Sequence, residues 1–399
     1  MSALATAGLL ASVLLPPWQG VDPDAAERRT GTEEVELRGT PNVRGARRGT
    51  IAPGKTVRIY AAARGAGCDG KWFLVGADAW ACGDALTPTD GKPDPLESEP
   101  KFYFVRAEFA QAYSSLERAG EETPDLELEK GFGVSVVKNK AKDGINWSLT
   151  TKGMWVATSD LALARVSTFE GAQLDGVIDV AWTSSKGARA RKEDNDGVET
   201  KLQARLRVRL TETRGEGKAE RSKASWQDAK GTHEAWLLPS ELRRPQLMAP
   251  PAAALANERW VDVSLKDQTL VAYEGAKPVF ATLVSTGKGG AGTPFETPKG
   301  EYRVWAKIRA ITMDNLDEEE AETYYSVEDV PYVQFFNKGV ALHGAYWHDL
   351  FGQRHSHGCV NLSIPDAKFL FDFSNPSIPA GWTAIHPYAY DAGLRVVVR

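Results

Sequence analysis

The sequence predicts a mainly β chain: several small antiparallel barrels, then a β-sandwich domain carrying one short helix. Three observations predict it. A hairpin phrase with two tryptophans recurs three times before residue 245. Each copy follows a run in which apolar and polar residues alternate, the period of a half-buried strand. Only one late segment joins a helix start signal to an apolar face.

The 399 residues leave room for two to four domains of about 150 residues each. With 42% hydrophobic and 25% charged residues, wholesale disorder, a collagen and a multispan membrane protein are excluded. A net charge of −5 argues against nucleic acid as a partner. The twelve tryptophans suit all-β modules and grooves that face carbohydrate or peptide, and core packing would use them equally well.

At the amino terminus, residues 1–20 hold an apolar run from Ala3 to Leu15 that ends at Pro16-Pro17. It is too short to span a bilayer and matches the apolar region of an export signal, although no Lys or Arg precedes it. An upstream start, an irregular export signal and a short apolar arm all fit, and export is the expectation. Cys68 and Cys82 bracket a predicted hairpin. Paired strands can bring two cysteines to bonding distance, which implies an oxidising compartment; the alternative is two reduced thiols. Cys359 is then the odd one of three.

The repeated phrase reads Lys71-Trp72-Phe73 to Ala79-Trp80-Ala81 in the first copy. In the second it is Asn146-Trp147-Ser148 to Met154-Trp155-Val156, and in the third Ser225-Trp226-Gln227 to Ala235-Trp236-Leu237. The alternating runs before them are Thr56 to Tyr60, Phe132 to Val137 and Leu206 to Leu210. This pattern resembles the bacterial SH3-like domain. It gives modules at residues 36–90, 100–165 (the weakest copy) and 176–244. Such modules bind wall peptides or glycans, or act as spacers with their tryptophans in the core. Charged, glycine-containing stretches at Lys186 to Gly197 and Thr213 to Lys223 read as loops, and residues 245–256, rich in Pro and Ala, as a linker.

Residues 257–399 form the last domain. Trp260 to Leu265 and Thr269 to Tyr273 predict a hairpin, and Val279 to Ser285 a third strand. Tyr302 to Ile308, Tyr332 to Phe336 and Val340 to His343 continue the sheet. Ser363-Ile364-Pro365-Asp366 is a capping-box variant before Phe369, Leu370 and Phe373, and predicts the helix. Gly287 to Gly292 fits GxGxxG, but turn formers follow where a dinucleotide site needs a helix, so a mobile loop is expected.

Four of the six histidines cluster with the odd cysteine: His343, His348, His355, His357 and Cys359. Two chemistries use such residues, a zinc site and a thiol nucleophile activated by an imidazole. Zinc sites usually pair their ligands in each half, and here a single Cys is present. Gly358 beside it would let backbone amides turn towards an oxyanion. The thiol nucleophile is the favoured reading, with no metal and no cofactor.

His343-Gly344, a variable loop, and Ser356-His357-Gly358-Cys359-Val360-Asn361 closely resemble the signature of the L,D-transpeptidase (YkuD-type) family. Thr297-Pro298-Lys299-Gly300 also matches that family's turn. The loop of twelve residues between His343 and Ser356 is on the short side. The resemblance implies a YkuD-type β-sandwich in which Cys359 is the nucleophile and His343 the base, with the Gly344 carbonyl holding the other ring nitrogen. It implies an oxyanion hole from amides around His357, Gly358 and Cys359, with His357 also helping to orient the thiol.

Ser356, Asn361, Arg354, Tyr346 and Trp347 are the expected groove residues, and His348 and His355 are expected at the groove or surface. The resemblance further implies peptidoglycan stem peptides as substrate and release of D-alanine from a thioester. A neighbouring stem's amine would complete a cross-link in the cell envelope or periplasm. Carbapenem-type β-lactams would acylate the thiol. Carboxypeptidase or cross-link hydrolase activity is the same-chemistry alternative, and a non-catalytic wall anchor is the different-class one. The acidic stretch Asp314 to Asp329 is an expected lid that attracts the acceptor amine, or simply a solvated run.

Overall fold

The computed structural model describes residues 28–31, 33–92, 100–192, 197–316, 324–388 and 390–399. The apolar run at Ala3 to Leu15, part of the loop at Lys186 to Gly197 and the acids Asp317 to Glu322 lie outside the described residues. The chain divides into two compact units, residues 1–97 with 378–386 and residues 98–377 with 387–399. It is mainly β, with one short α-helix among the described residues. No helix among them is long and apolar enough to cross a membrane.

The three tryptophan phrases fall in three segments with one pairing order. In the first unit, Arg28–Gly31 pairs with Thr56–Arg58 and with Leu86–Pro88. Ala61–Ala63, Trp72–Gly76 and Ala79–Cys82 form a meander that returns to Val35–Arg38, itself paired with Arg47–Ile51.

In the second unit, Lys101–Val105 takes the first position, pairing with Gly133–Lys142 and Leu161–Leu163. The meander of Gly133–Lys142, Ile145–Thr150 and Trp155–Ala157 returns to Phe109–Tyr113 and Leu126–Glu129. Val180–Thr183, Arg207–Arg214, Arg221–Asp228, Gly231–Leu237, Ala188–Arg191 and Val198–Leu202 repeat the same order a third time, closed by Leu242–Arg243. A single 3-10 turn precedes the closing strand in every copy: Gly83–Ala85, Thr158–Asp160 and Pro239–Glu241.

In each copy the tryptophan pair lies on two paired strands of the meander. Trp72, Trp147, Trp155 and Trp236 are buried, and Trp80 and Trp226 are half-buried. The repeated aromatic signal is therefore largely a core signal. Cys68 and Cys82 are joined by a disulfide with Cα atoms 5.6 Å apart. The first copy starts ahead of residue 36, and it borrows Trp382–Ile385, which pairs with Arg47–Ile51 and places Trp382 and Ile385 in its core.

The carboxy-terminal domain begins with β1 (Arg259–Ser264), β2 (Thr269–Glu274) and β3 (Lys277–Leu283), an antiparallel meander. β4 (Gly300–Arg303), β5 (Ala306–Asp314), β6 (Ser326–Asn337), β7 (Val340–Gly344) and β8 (Val360–Leu362) follow, then α1 (Ile364–Phe373) and β9 (Arg395–Val398). One layer runs β3-β2-β1-β9-β4 and the other β5-β6-β7-β8.

The strand expected from Tyr302 to Ile308 is thus two strands in two sheets. Val304 donates to Leu394 and Trp305 to Phe335, so the backbone changes partner there. Val263, Leu270, Leu342, Val360, Leu362, Leu370 and Val396 fill the space between the layers. Ser363 caps α1 by accepting from the Asp366 amide at 3.3 Å, and Pro365 occupies the first turn.

Candidate active site

β7 and β8 are parallel neighbours, with Leu342 beside Val360 and His343 beside Asn361. Leu342, Val360 and Leu362 point into the core between the layers. Side chains alternate along a strand, so Ala341, His343, Cys359 and Asn361 share the opposite face. There Cys359 packs against a second apolar cluster that includes Ala341, Val333 and Tyr346. His343 on β7 and Cys359, the residue just before β8, therefore face the same side, offset diagonally.

His343 is 2% exposed. Its Nδ1 lies 3.1 Å from the Gly344 carbonyl, an acceptor only, so Nδ1 carries the proton and Nε2 the lone pair. The Asn361 amide stands 3.4 Å from Nε2. Burial drives the imidazole down to about 4, against the opposing pull of the Gly344 carbonyl, so it is neutral at ordinary pH. The half-buried Cys359 thiol is pushed above its usual value by loss of water, with a backbone hydrogen bond at Ala341 opposing. Its Sγ approaches the Gly339 carbonyl at 3.7 Å. At rest both the thiol and the imidazole are neutral.

The turn before Cys359 is built from three directions. The Ser356 hydroxyl accepts the Gly358 amide at 3.1 Å and donates to the Cys359 carbonyl. Thr297 is buried; its hydroxyl donates to the Gly358 carbonyl at 2.6 Å and accepts the Gly287 amide at 2.8 Å. Ser285 and Asn361 exchange backbone bonds at 2.9 Å, tying β8 to the end of β3. Gly358 has φ +130, and a Cβ there would come within 3.1 Å of the Glu296 carbonyl. That position needs glycine.

Several expectations need correction. Gly358 was expected to lend its amide to an oxyanion hole, but Ser356 holds that amide. Tyr346 is not a groove wall: it is 0% exposed, stacked on Phe102 with ring centroids 4.1 Å apart, and donates to the Glu328 carbonyl at 2.9 Å. His348, expected at the groove or surface, is 8% exposed; its Nδ1 accepts the Leu350 amide at 3.1 Å, and burial takes it to about 3.

His357 is exposed, with Nε2 3.1 Å from the Lys288 Nζ, and is flanked by Phe295 and Tyr325. Arg354 is exposed and donates to the Gly289 carbonyl at 3.1 Å, which tethers the glycine-rich loop. That loop opens no helix. Trp347 is half-buried, its ring centroid 5.7 Å from His343. His355 is exposed and edge-on to His348 at 4.7 Å.

Among the described residues, these histidines and Cys359 do not converge as three ligands on one point. Where three such groups do converge, at Cys68, Cys82 and Asp84, the two sulfurs are bonded to each other. Sequence reasoning missed Thr297 as a site residue, although it stands in the quoted Thr-Pro turn. It also missed Lys288, Phe295 and Tyr325, which neighbour His357 through long-range pairing that local pattern does not reveal.

Residues 258–397 match the family model of the L,D-transpeptidase catalytic domain, YkuD. The Bacillus subtilis protein YciB, named for an L,D-transpeptidase, is 26% identical over 116 residues. That match covers 28% of this chain and 59% of YciB, so the chain spans less than two thirds of that relative. A solved L,D-transpeptidase from Stackebrandtia nassauensis is 28% identical over 38% of this chain and 58% of its own, with a TM-score of 0.25. The catalytic domain of the E. faecium L,D-transpeptidase acylated by ertapenem is 24% identical over 37% of this chain and 100% of its own, with a TM-score of 0.27. By the family match, residues 258–397 are an L,D-transpeptidase catalytic domain.

Proposed function

We propose that this chain is a cysteine-dependent L,D-transpeptidase that cross-links peptidoglycan in the cell envelope. The observation that carries the reading is that His343 on β7 and Cys359, just before the parallel neighbour β8, face the same side inside the region matched to that catalytic domain.

Cys359 attacks the carbonyl of the third residue of a tetrapeptide stem. Both partners start neutral, so the thiol proton passes to His343 Nε2 as the sulfur–carbon bond forms. The Gly344 carbonyl steadies the imidazolium through Nδ1, the part a carboxylate plays in a triad. The carbon–nitrogen bond to D-alanine breaks, and the imidazolium returns the proton to the leaving amine. The amine of a second stem then attacks the thioester, loses its proton to His343, and sulfur leaves to be reprotonated. Asn361 positions Nε2, and Ser356 and Thr297 hold the turn that presents the thiol. With the Gly358 amide engaged, the oxyanion falls to the amides of His357 and Cys359.

The same thiol is the proposed target of carbapenems, as the family match leads one to expect. The three repeated segments are proposed as SH3-like modules on the strength of their shared pairing order. Export is supported by the Cys68–Cys82 bond, which an oxidising compartment preserves. Incubation with disaccharide tetrapeptide, followed by mass spectrometry, tests the reaction. The expected products are a dimer lacking one D-alanine and free D-alanine. Tripeptide without dimer would make the enzyme a hydrolase, and unchanged substrate would reject the reading.

A further inference from the structure

Lys288 stands on the glycine-rich loop that follows β3. Its amide donates to the Ser356 carbonyl at 2.9 Å, which anchors it to the turn that presents Cys359. The side chain is exposed, yet two contacts hold it. A lysine ammonium only donates, so the His357 Nε2 at 3.1 Å is its acceptor. Its Nζ also lies 4.6 Å from the centroid of the Phe295 ring. Neither contact carries a negative charge. Glu296, the one acid between Gly287 and Thr297, accepts the Gly292 amide instead. Arg354, a second cation tied to this loop, gives a donor to the Gly289 carbonyl. Among the described residues no ion pair joins Lys288 or Arg354 to a carboxylate. Fixing a lysine costs rotamer freedom, and an imidazole and a ring face return little of it in water. A held cation with two donors unused suits an anionic group of the ligand.

We propose that Lys288 binds the carboxylate of the donor stem's terminal D-alanine and so selects a free acid at that end. In the stem that carboxylate lies one residue beyond the carbonyl that Cys359 attacks, and one residue spans about 3.8 Å. His357, which Lys288 contacts, is two residues from Cys359, so the cation lies within a short peptide's reach of the thiol. Phe295 and Tyr325, both partly exposed and ranged against His357, offer apolar surface to the alanine methyl. The identity of the carboxylate rests on the transpeptidase reading; binding of an acid at Lys288 does not.

Calorimetric titration of the full chain carrying Cys359→Ala, which stops turnover, tests it with two probes: the disaccharide tetrapeptide and its D-alaninamide analogue. The acid is expected to bind about tenfold more tightly than the amide. Adding Lys288→Met removes that preference by weakening the acid alone, and Lys288→Arg keeps it because the charge remains. No binding of either probe, equal affinity for acid and amide, or a Lys288→Met chain that still prefers the acid overturns the proposal. So does a Lys288→Met chain that weakens for both probes alike, which would make the lysine structural. Turnover by the parent is read separately. A parent that prefers the acid yet releases no D-alanine keeps this site and loses the transpeptidase reading. A parent that turns over acid and amide with equal kcat/KM keeps that reading and loses this site.

Discussion

His343 has its protonation state fixed by two neighbours and its burial. The Gly344 carbonyl takes the Nδ1 proton, Asn361 stands at Nε2, and desolvation keeps the ring uncharged down to about pH 4. Replacing His343 with Ala is expected to slow carbapenem acylation by about 10²–10⁴-fold, the span of a lost general base, read by the rate of adduct formation. Because the imidazole is already neutral above about pH 4 and the thiol sits above its usual value, the acylation rate is expected to change little between about pH 5 and 7. It then climbs on the alkaline side as thiolate accumulates; a rise centred near pH 6.5 would show an ordinary, exposed histidine instead.

His348 gives a stability prediction with a definite sign. Its folded value of about 3 lies below the ordinary histidine value of 6.5, so between those limits the unfolded chain binds more protons. His348 therefore costs stability as pH falls through that window. Asp366, raised by burial to about 6, works the other way, and a variant comparison separates the two. In His348→Gln the difference in melting temperature between pH 7 and pH 4 should shrink relative to the parent; an unchanged difference would place the imidazole in solvent.

At the scale of elements, the turn between β7 and β8 depends on a distant hydroxyl. Thr297 bridges the Gly287 amide and the Gly358 carbonyl, so Thr297→Val leaves two polar groups near the thiol without their partner. The expected cost is about 2 kcal/mol by urea melting, with slower acylation of Cys359.

The β1–β2 hairpin, the α1 cap and the third strand were legible from alternation and turn chemistry, because those signals act over a few residues. The break between β4 and β5 was not, because Val304 and Trp305 look like strand residues and only their bonds to Leu394 and Phe335 send the chain into different sheets. The same limit misplaced Tyr346: its phenol reads as a groove group until Phe102 and the Glu328 carbonyl cover it. His343 and Cys359 could be proposed from sequence because their motif is local; the bond that occupies the Gly358 amide could not be read there.

The second unit joins two of the repeated segments to the carboxy-terminal domain through the loop between His343 and Cys359. Phe102 covers Tyr346; Ser167 and Arg205 hold Asp349; Arg243 donates to the Gly352 carbonyl at 2.9 Å. The Gly171 amide reaches the Asp366 carboxylate at 2.9 Å, and Ala172–Gln173 adds a short strand to the edge at β3. A fragment of residues 257–399 would expose Tyr346 and other side chains that these contacts bury. It is expected to be less stable than the full chain in urea and to acylate more slowly; equal stability and rate would show that the segments are dispensable to the site.

All of the proposed chemistry rests on Cys359 as a thiol nucleophile served by His343. Mass spectrometry of the intact chain after exposure to a carbapenem tests it most directly, with Cys359→Ala and His343→Ala alongside. One adduct per chain is expected, mapped to Cys359, absent from the first variant and slow to form in the second. An adduct elsewhere, none at all, or one that forms as fast without the imidazole would contradict it.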